Sequence, residues 1–98
     1  MKLTSMKLIA HVGEAKSKYM SAISKAKESK FEEAEALCSE GDLAFNRGHK
    51  VHQELLTRMA SGEKLDIDLL LIHSEDQLMS TEVFRTLSRE FIDLYKRI

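Results

Sequence analysis

Residues 69–98 read LLLIHSEDQLMSTEVFRTLSREFIDLYKRI. Apolar side chains recur along this stretch at three- and four-residue steps, as Leu69, Leu70, Val83, Phe84, Leu87, Phe91, Leu94 and Ile98. A second series, Leu71, Leu78, Ile92 and Tyr95, runs beside the first. That period belongs to an α-helix. Together the two series make an apolar arc wider than the roughly 100° that one core-facing stripe needs. The stretch therefore predicts a helix that packs on its own chain with part of its surface and on a further copy with the rest.

Upstream, Gly62 in Ser61-Gly62-Glu63-Lys64 suits the left-handed residue that closes a helix, and Asp66 or Asp68 can cap the next one. Before that break, Phe31, Ala34, Cys38, Gly41, Phe45, Gly48, Val51, Leu55 and Met59 keep the helical period, and Gly41, Ala44 and Gly48 permit close approach of another helix. An earlier break falls at Glu28-Ser29-Lys30, where Ser29-Lys30-Phe31-Glu32 spells a capping box. In the first stretch the periodic positions are Met6, Ile9, Val12, Gly13, Tyr19, Met20, Ile23 and Ala26. Proline is absent, as long uninterrupted helices require. Short connections make consecutive helices antiparallel neighbours. The sequence thus predicts an all-α antiparallel three-helix bundle, with helices at roughly 3–28, 30–60 and 67–97, in one domain spanning 1–98.

Fifteen Lys+Arg against sixteen Asp+Glu leave a formal charge of -1, which does not suit a polyanionic partner such as nucleic acid. A single cysteine, Cys38, excludes an internal disulfide and reads as a small apolar residue in a reducing compartment. No apolar run reaches the ~18 residues of a membrane-spanning helix. The opening MKLTSMKLIAHVGE lacks the apolar run of a signal peptide, so a cytoplasmic protein is expected.

Polar residues interrupt the apolar helix at its start. Followed backwards, the stripe Phe91, Leu87, Phe84, Val83 runs into Ser80, Gln77, Asp76 and His73. On a buried face such groups must be paired, hydrated or bound to something; on a solvent-facing one they need no explanation. Imidazole can serve as nucleophile, base or metal ligand near neutral pH, and Asp76 lies one turn from His73. Neither a hydrolase triad nor a glycine-rich phosphate loop is present at a recognisable spacing. His49 and His52, three residues apart, form a surface or hydrogen-bonded pair or, with His73 and Asp76, a metal site. The bundle di-metal pattern argues against the metal, because no Glu-x-x-His occurs. His11, between Ala10 and Val12, reads as a structural or interface histidine rather than a ligand.

The segments AHVGEAKS (10–17), FEEAE (31–35) and above all LLLIHSEDQLMS (69–80), after the Gly62-Glu63-Lys64 turn, resemble the IIA component of the lactose/cellobiose class of sugar phosphotransferase systems. The last segment is similar to that family's phosphorylation motif, LL-x-x-HAQDHLMT. The resemblance spans nearly the whole chain. It implies a cytoplasmic homotrimer of nine helices, a phosphotransferase component rather than a stand-alone turnover enzyme. His73 would accept a phosphoryl group from the phosphocarrier HPr and pass it to a cysteine of a IIB component. A β-linked disaccharide is then phosphorylated during uptake by the membrane component, without touching this chain. Asp76 matches the aspartate that gathers at the threefold axis around one divalent ion, commonly Mg2+. The surroundings of His73, Leu69, Ile72 and Leu78 among them, would give the docking surface.

Three positions of the motif depart from the family: Ser74 for alanine, Glu75 for glutamine and Gln77 for histidine. The Gln77 amide can still donate to a phosphoryl oxygen but cannot gain a proton. Glu75, two residues from His73, is expected to point away and to alter the surface more than the chemistry. On the second helix His52 stands where glutamine is usual, and Met59 near a usual glutamate. These departures keep a second function open, a helical trimer that binds partners without carrying phosphate.

Overall fold

The computed structural model describes all 98 residues. They form three helices, α1 (Lys2–Lys27), α2 (Phe31–Ala60) and α3 (Leu69–Arg97), in a bundle measuring 51 × 19 × 16 Å. The short turns make consecutive helices antiparallel, which gathers the start of α1, the end of α2 and the start of α3 at one end of the rod.

Both turns are built by the helix that ends there. The Gly62 N–H bonds to the Met59 carbonyl at 3.0 Å and that of Glu63 to Arg58 at 3.1 Å, with Gly62 at φ 91°. This double closure needs a left-handed residue, which glycine supplies without steric cost. The first turn repeats the device, with Ser29 at φ 63° donating to Ala26 and Lys30 donating to Lys25, each at 3.0 Å. The capping box expected at Ser29 is therefore not formed: α2 starts after Lys30 with no side-chain cap. A residue held left-handed to finish α1 cannot also supply the extended N-cap of α2. At α3 the expectation holds, with Asp68 accepting from the Leu71 N–H at 2.9 Å.

The interior is made of small side chains. Only 20 of 98 residues are buried, which restricts the core to a narrow seam of close helix contacts. From α1 it takes Ser5, Leu8, Val12, Ala15, Tyr19, Ala22 and Ala26; from α2, Ala34, Cys38, Gly41, Ala44, Phe45, Gly48 and Leu55. The partner that Gly41 and Gly48 admit is α1 of the same chain. A Cβ on Gly41 would lie 2.7 Å from Tyr19 Cε1, and one on Gly48 would lie 2.8 Å from Val12 Cγ1.

On α3 it is chiefly the second of the two apolar series that faces inward. Leu71, Ser74, Leu78, Thr81, Ser88 and Ile92 face inward. The buried hydroxyls answer to their own helix, Ser74 to Leu71 and Thr81 to Gln77 at 2.7 Å each, and Ser88 to Arg85 at 3.0 Å. Those local bonds let small polar residues enter the core, and Ser88 Oγ also lies 3.5 Å from Cys38 Sγ of α2. From the first series, Leu69, Val83, Leu87, Phe91, Leu94 and Ile98 are exposed within one chain, Val83 by 56%. The same holds for Met6 and Met20 on α1.

Candidate functional site

Asp68 fixes the first turn of α3, and one turn later that helix presents His73 and Asp76, both exposed. Gln77 and Ser80 on the same helix are half-buried. Within one chain the face bearing His73 and Asp76 looks outward, with exposed apolar side chains on both sides of Asp76.

Beside His73 lies a cleft of about 720 Å³ between the last turns of α2 and the first turns of α3. Leu55 and Leu71 are buried in its floor, while Leu56, Met59, Ile67, Ile72 and Met79 remain exposed on its walls. A second depression, of about 480 Å³, is lined by Leu69, Leu70 and His73 itself. The imidazole therefore stands on the rim between two concave surfaces. No hydrogen bond or ion pair within the chain engages its ring. An open nitrogen lone pair there can act as a nucleophile toward a group brought in from outside.

The expected site residues divide. Asp76 shares the large cleft with His73, but Gln77 does not line it. Leu69 and Ile72 are exposed beside the histidine as a docking surface requires, whereas Leu78 is buried in the core. His49 is held by Gln53, with 3.2 Å between the two nitrogens, and its ring stacks on Phe45 at 6.2 Å between centroids. His11 is half-buried, its Cβ close to Gly48, consistent with a structural role. No three His, Cys, Asp or Glu side chains converge within the chain, so the metal site drawn from His49, His52, His73 and Asp76 is not assembled.

One feature of the site was not anticipated. Glu75, expected to be a bystander, lines the cleft and is half-buried against α2, where its Oε2 lies 2.5 Å from His52 Nδ1. The approach is off the N–H axis, so this buried nitrogen makes a close charge contact without an aligned hydrogen bond. His52 and Glu75 are two of the positions that depart from the resembled family, and they meet in space. Their separation in sequence, 52 against 75, gave no sign of this. Met59 adds an apolar wall to the same cleft.

Comparison with known proteins places this arrangement. The family described as PTS system, Lactose/Cellobiose specific IIA subunit, matches residues 3–96. The lactose-specific EIIA component of Staphylococcus epidermidis is 35% identical over 95 residues, covering 97% of this chain and 91% of that protein. The crystal structure of the cellobiose-specific enzyme IIA from Bacillus anthracis superposes with a TM-score of 0.95 at 39% identity, over 97% of this chain and 87% of that one. A chain of the IIA(chitobiose)–HPr complex from the N,N'-diacetylchitobiose branch of the Escherichia coli phosphotransferase system gives a TM-score of 0.78 at 30% identity, over 96% and 91%. With the family matched over residues 3–96 and the fold shared over almost the whole chain, the chain belongs to the lactose/cellobiose-specific IIA family of the sugar phosphotransferase system.

Proposed function

We propose that this chain is a phosphocarrier that takes a phosphoryl group from HPr onto His73 and delivers it to the cysteine of a IIB component, during uptake and phosphorylation of a β-linked disaccharide. The observation that carries the reading is the unengaged, exposed imidazole of His73 on the rim of an apolar cleft. Phosphoryl transfer asks mainly for positioning and charge stabilisation. A ring nitrogen attacks phosphorus, and the N–P bond forms as the bond to the donor breaks. In the second transfer a thiolate takes the phosphorus and the electron pair returns to the ring. Both exchanges need an imidazole that two different proteins can reach in turn. An exposed ring on a convex rim, flanked by apolar walls, fits the small transient interfaces such exchanges use.

The outward face of α3 supports assembly as a homotrimer. Leu69, Ile72, Val83, Leu87 and Leu94 give it exposed apolar side chains on both sides of a carboxylate, Asp76. A carboxylate is the right donor for a hard cation such as Mg2+. One chain offers no cluster of ligands, so Asp76 from each of three copies would hold the ion, which would supply neutralisation of the converging charges.

The test is incubation with HPr, its kinase enzyme and phosphoenolpyruvate, which should give an acid-labile, base-stable phosphohistidine. Equal labelling of His73→Ala and the parent overturns the assignment. A stable complex with HPr that never carries phosphate establishes the second function instead, a binding module derived from the family.

A further inference from the structure

His52 and Glu75 are drawn from different helices, lie 2.5 Å apart, and both line the cleft that holds His73. The imidazole is itself buttressed: its centroid is 6.2 Å from that of His49, whose ring stacks on Phe45 and whose nitrogen is tied to Gln53. His52 is thus held in place from behind and presses on Glu75 from the front. Both side chains are about three-quarters enclosed, at 26% and 25% exposure, in a cleft whose remaining lining is apolar apart from His73 and Asp76, so charges there are less screened than in open water.

A free carboxylate in that cleft would oppose the work proposed for it. The incoming phosphoryl group brings roughly two negative charges, and catalysis of its transfer depends on preorganised groups around the developing charge. We infer that His52 is a positioning residue for phosphoryl transfer at His73, acting through Glu75: it holds that carboxylate on the α2 wall and offsets its charge, so that the cleft accepts a phosphorylated partner. The inference rests on the phosphocarrier reading. It also accounts for two departures from the family as one event, since a glutamate in place of glutamine at position 75 adds a charge that a histidine at position 52 is placed to meet.

The experiment compares single-turnover labelling from phosphorylated HPr for the parent, His52→Gln, Glu75→Gln and the double variant, each at low and at high salt. His52→Gln should slow labelling about tenfold, or about 1.4 kcal/mol in the barrier, and high salt should restore most of the loss because the defect is an unmet charge. Glu75→Gln should stay within about twofold of the parent, and so should the double variant, in which nothing remains to be offset. A structural role for His52 would predict the opposite, a double variant as slow as His52→Gln with no salt rescue, and that result overturns the inference. So does an unchanged rate in His52→Gln while the parent labels normally. Failure of the parent itself to label would instead bring down the phosphocarrier reading and this inference with it.

Discussion

The Tyr19 hydroxyl donates to Asp42 Oδ1 at 2.7 Å, and the same carboxylate receives Arg85, at 3.3 Å, and Arg89 from α3. One side chain of α2 thus ties all three helices together at mid-bundle. Burial alone would push the Asp42 carboxyl up, but the hydrogen bonds from Tyr19 and Arg89 and the charges of Arg89 and Arg85 outweigh it and hold the carboxyl below its ordinary value of 3.8. Burial, then the bond to Asp42, pushes the Tyr19 phenol up, so it remains a donor at neutral pH. A carboxyl depressed on folding contributes stability that is complete above its unfolded value and lost as pH falls through the folded one. The chain should therefore lose stability as pH drops below 3.8. Asp42→Asn should flatten that acid limb in urea titrations taken at several pH values. Asp42→Ala should cost about 2 kcal/mol at neutral pH, less than the ~3–5 kcal/mol of a fully enclosed pair, because water still reaches the group.

Gly41 is where this tie meets the helix backbone. The Tyr19 ring, anchored at its hydroxyl by Asp42, lies across Gly41 and has no room to retreat from a methyl group. Gly41→Ala should therefore destabilise by about 1–3 kcal/mol through overpacking, despite the roughly 1 kcal/mol that alanine gains over glycine in a helix. Gly13, with nothing within 4 Å of its missing Cβ, supplies the control. Gly13→Ala should stabilise the chain by up to ~1 kcal/mol in the same denaturation series.

These two glycines show what the sequence reveals and what it conceals. Periodicity found all three helices, and Gly62 and Asp68 marked where one ends and the next begins. Which arc faces inward was not legible, because large apolar side chains were weighted as core. In the bundle alanine, glycine and serine occupy the close contacts, and the larger residues of α3 are left outside. A serine such as Ser74, 0% exposed and bonded to the Leu71 carbonyl, looks like surface in a hydropathy pattern. His73 was found through its motif; within one chain its polar neighbours stand on an exposed face. The His52–Glu75 contact depends on how α2 and α3 are set against each other, which no local pattern encodes.

Asp68 determines how the histidine is presented. Its carboxylate accepts from the Leu71 N–H at 2.9 Å, closing the first turn of α3 two residues before His73. Asp68→Ala should cost about 1 kcal/mol, and Asp68→Asn, which can still accept, should recover most of it. Amide exchange at residues 70–73 should quicken in the alanine variant and remain near the parent in the asparagine one. Equal exchange in all three would show that the turn is held by something other than this cap.

Val83 and Asp76 test the outward face of α3 from opposite directions. Val83 is 56% exposed, so Val83→Glu should leave helix content intact and abolish association through this face in sedimentation. Asp76 sits on the same face, where three converging carboxylates would repel unless an ion neutralised them. Chelation should weaken the parent assembly, and Asp76→Leu should assemble without metal, because replacing a buried charge cluster with apolar groups is often neutral or favourable. Monomers from Asp76→Leu alongside a trimeric parent would show that the carboxylate holds the assembly by contacts other than a shared cation.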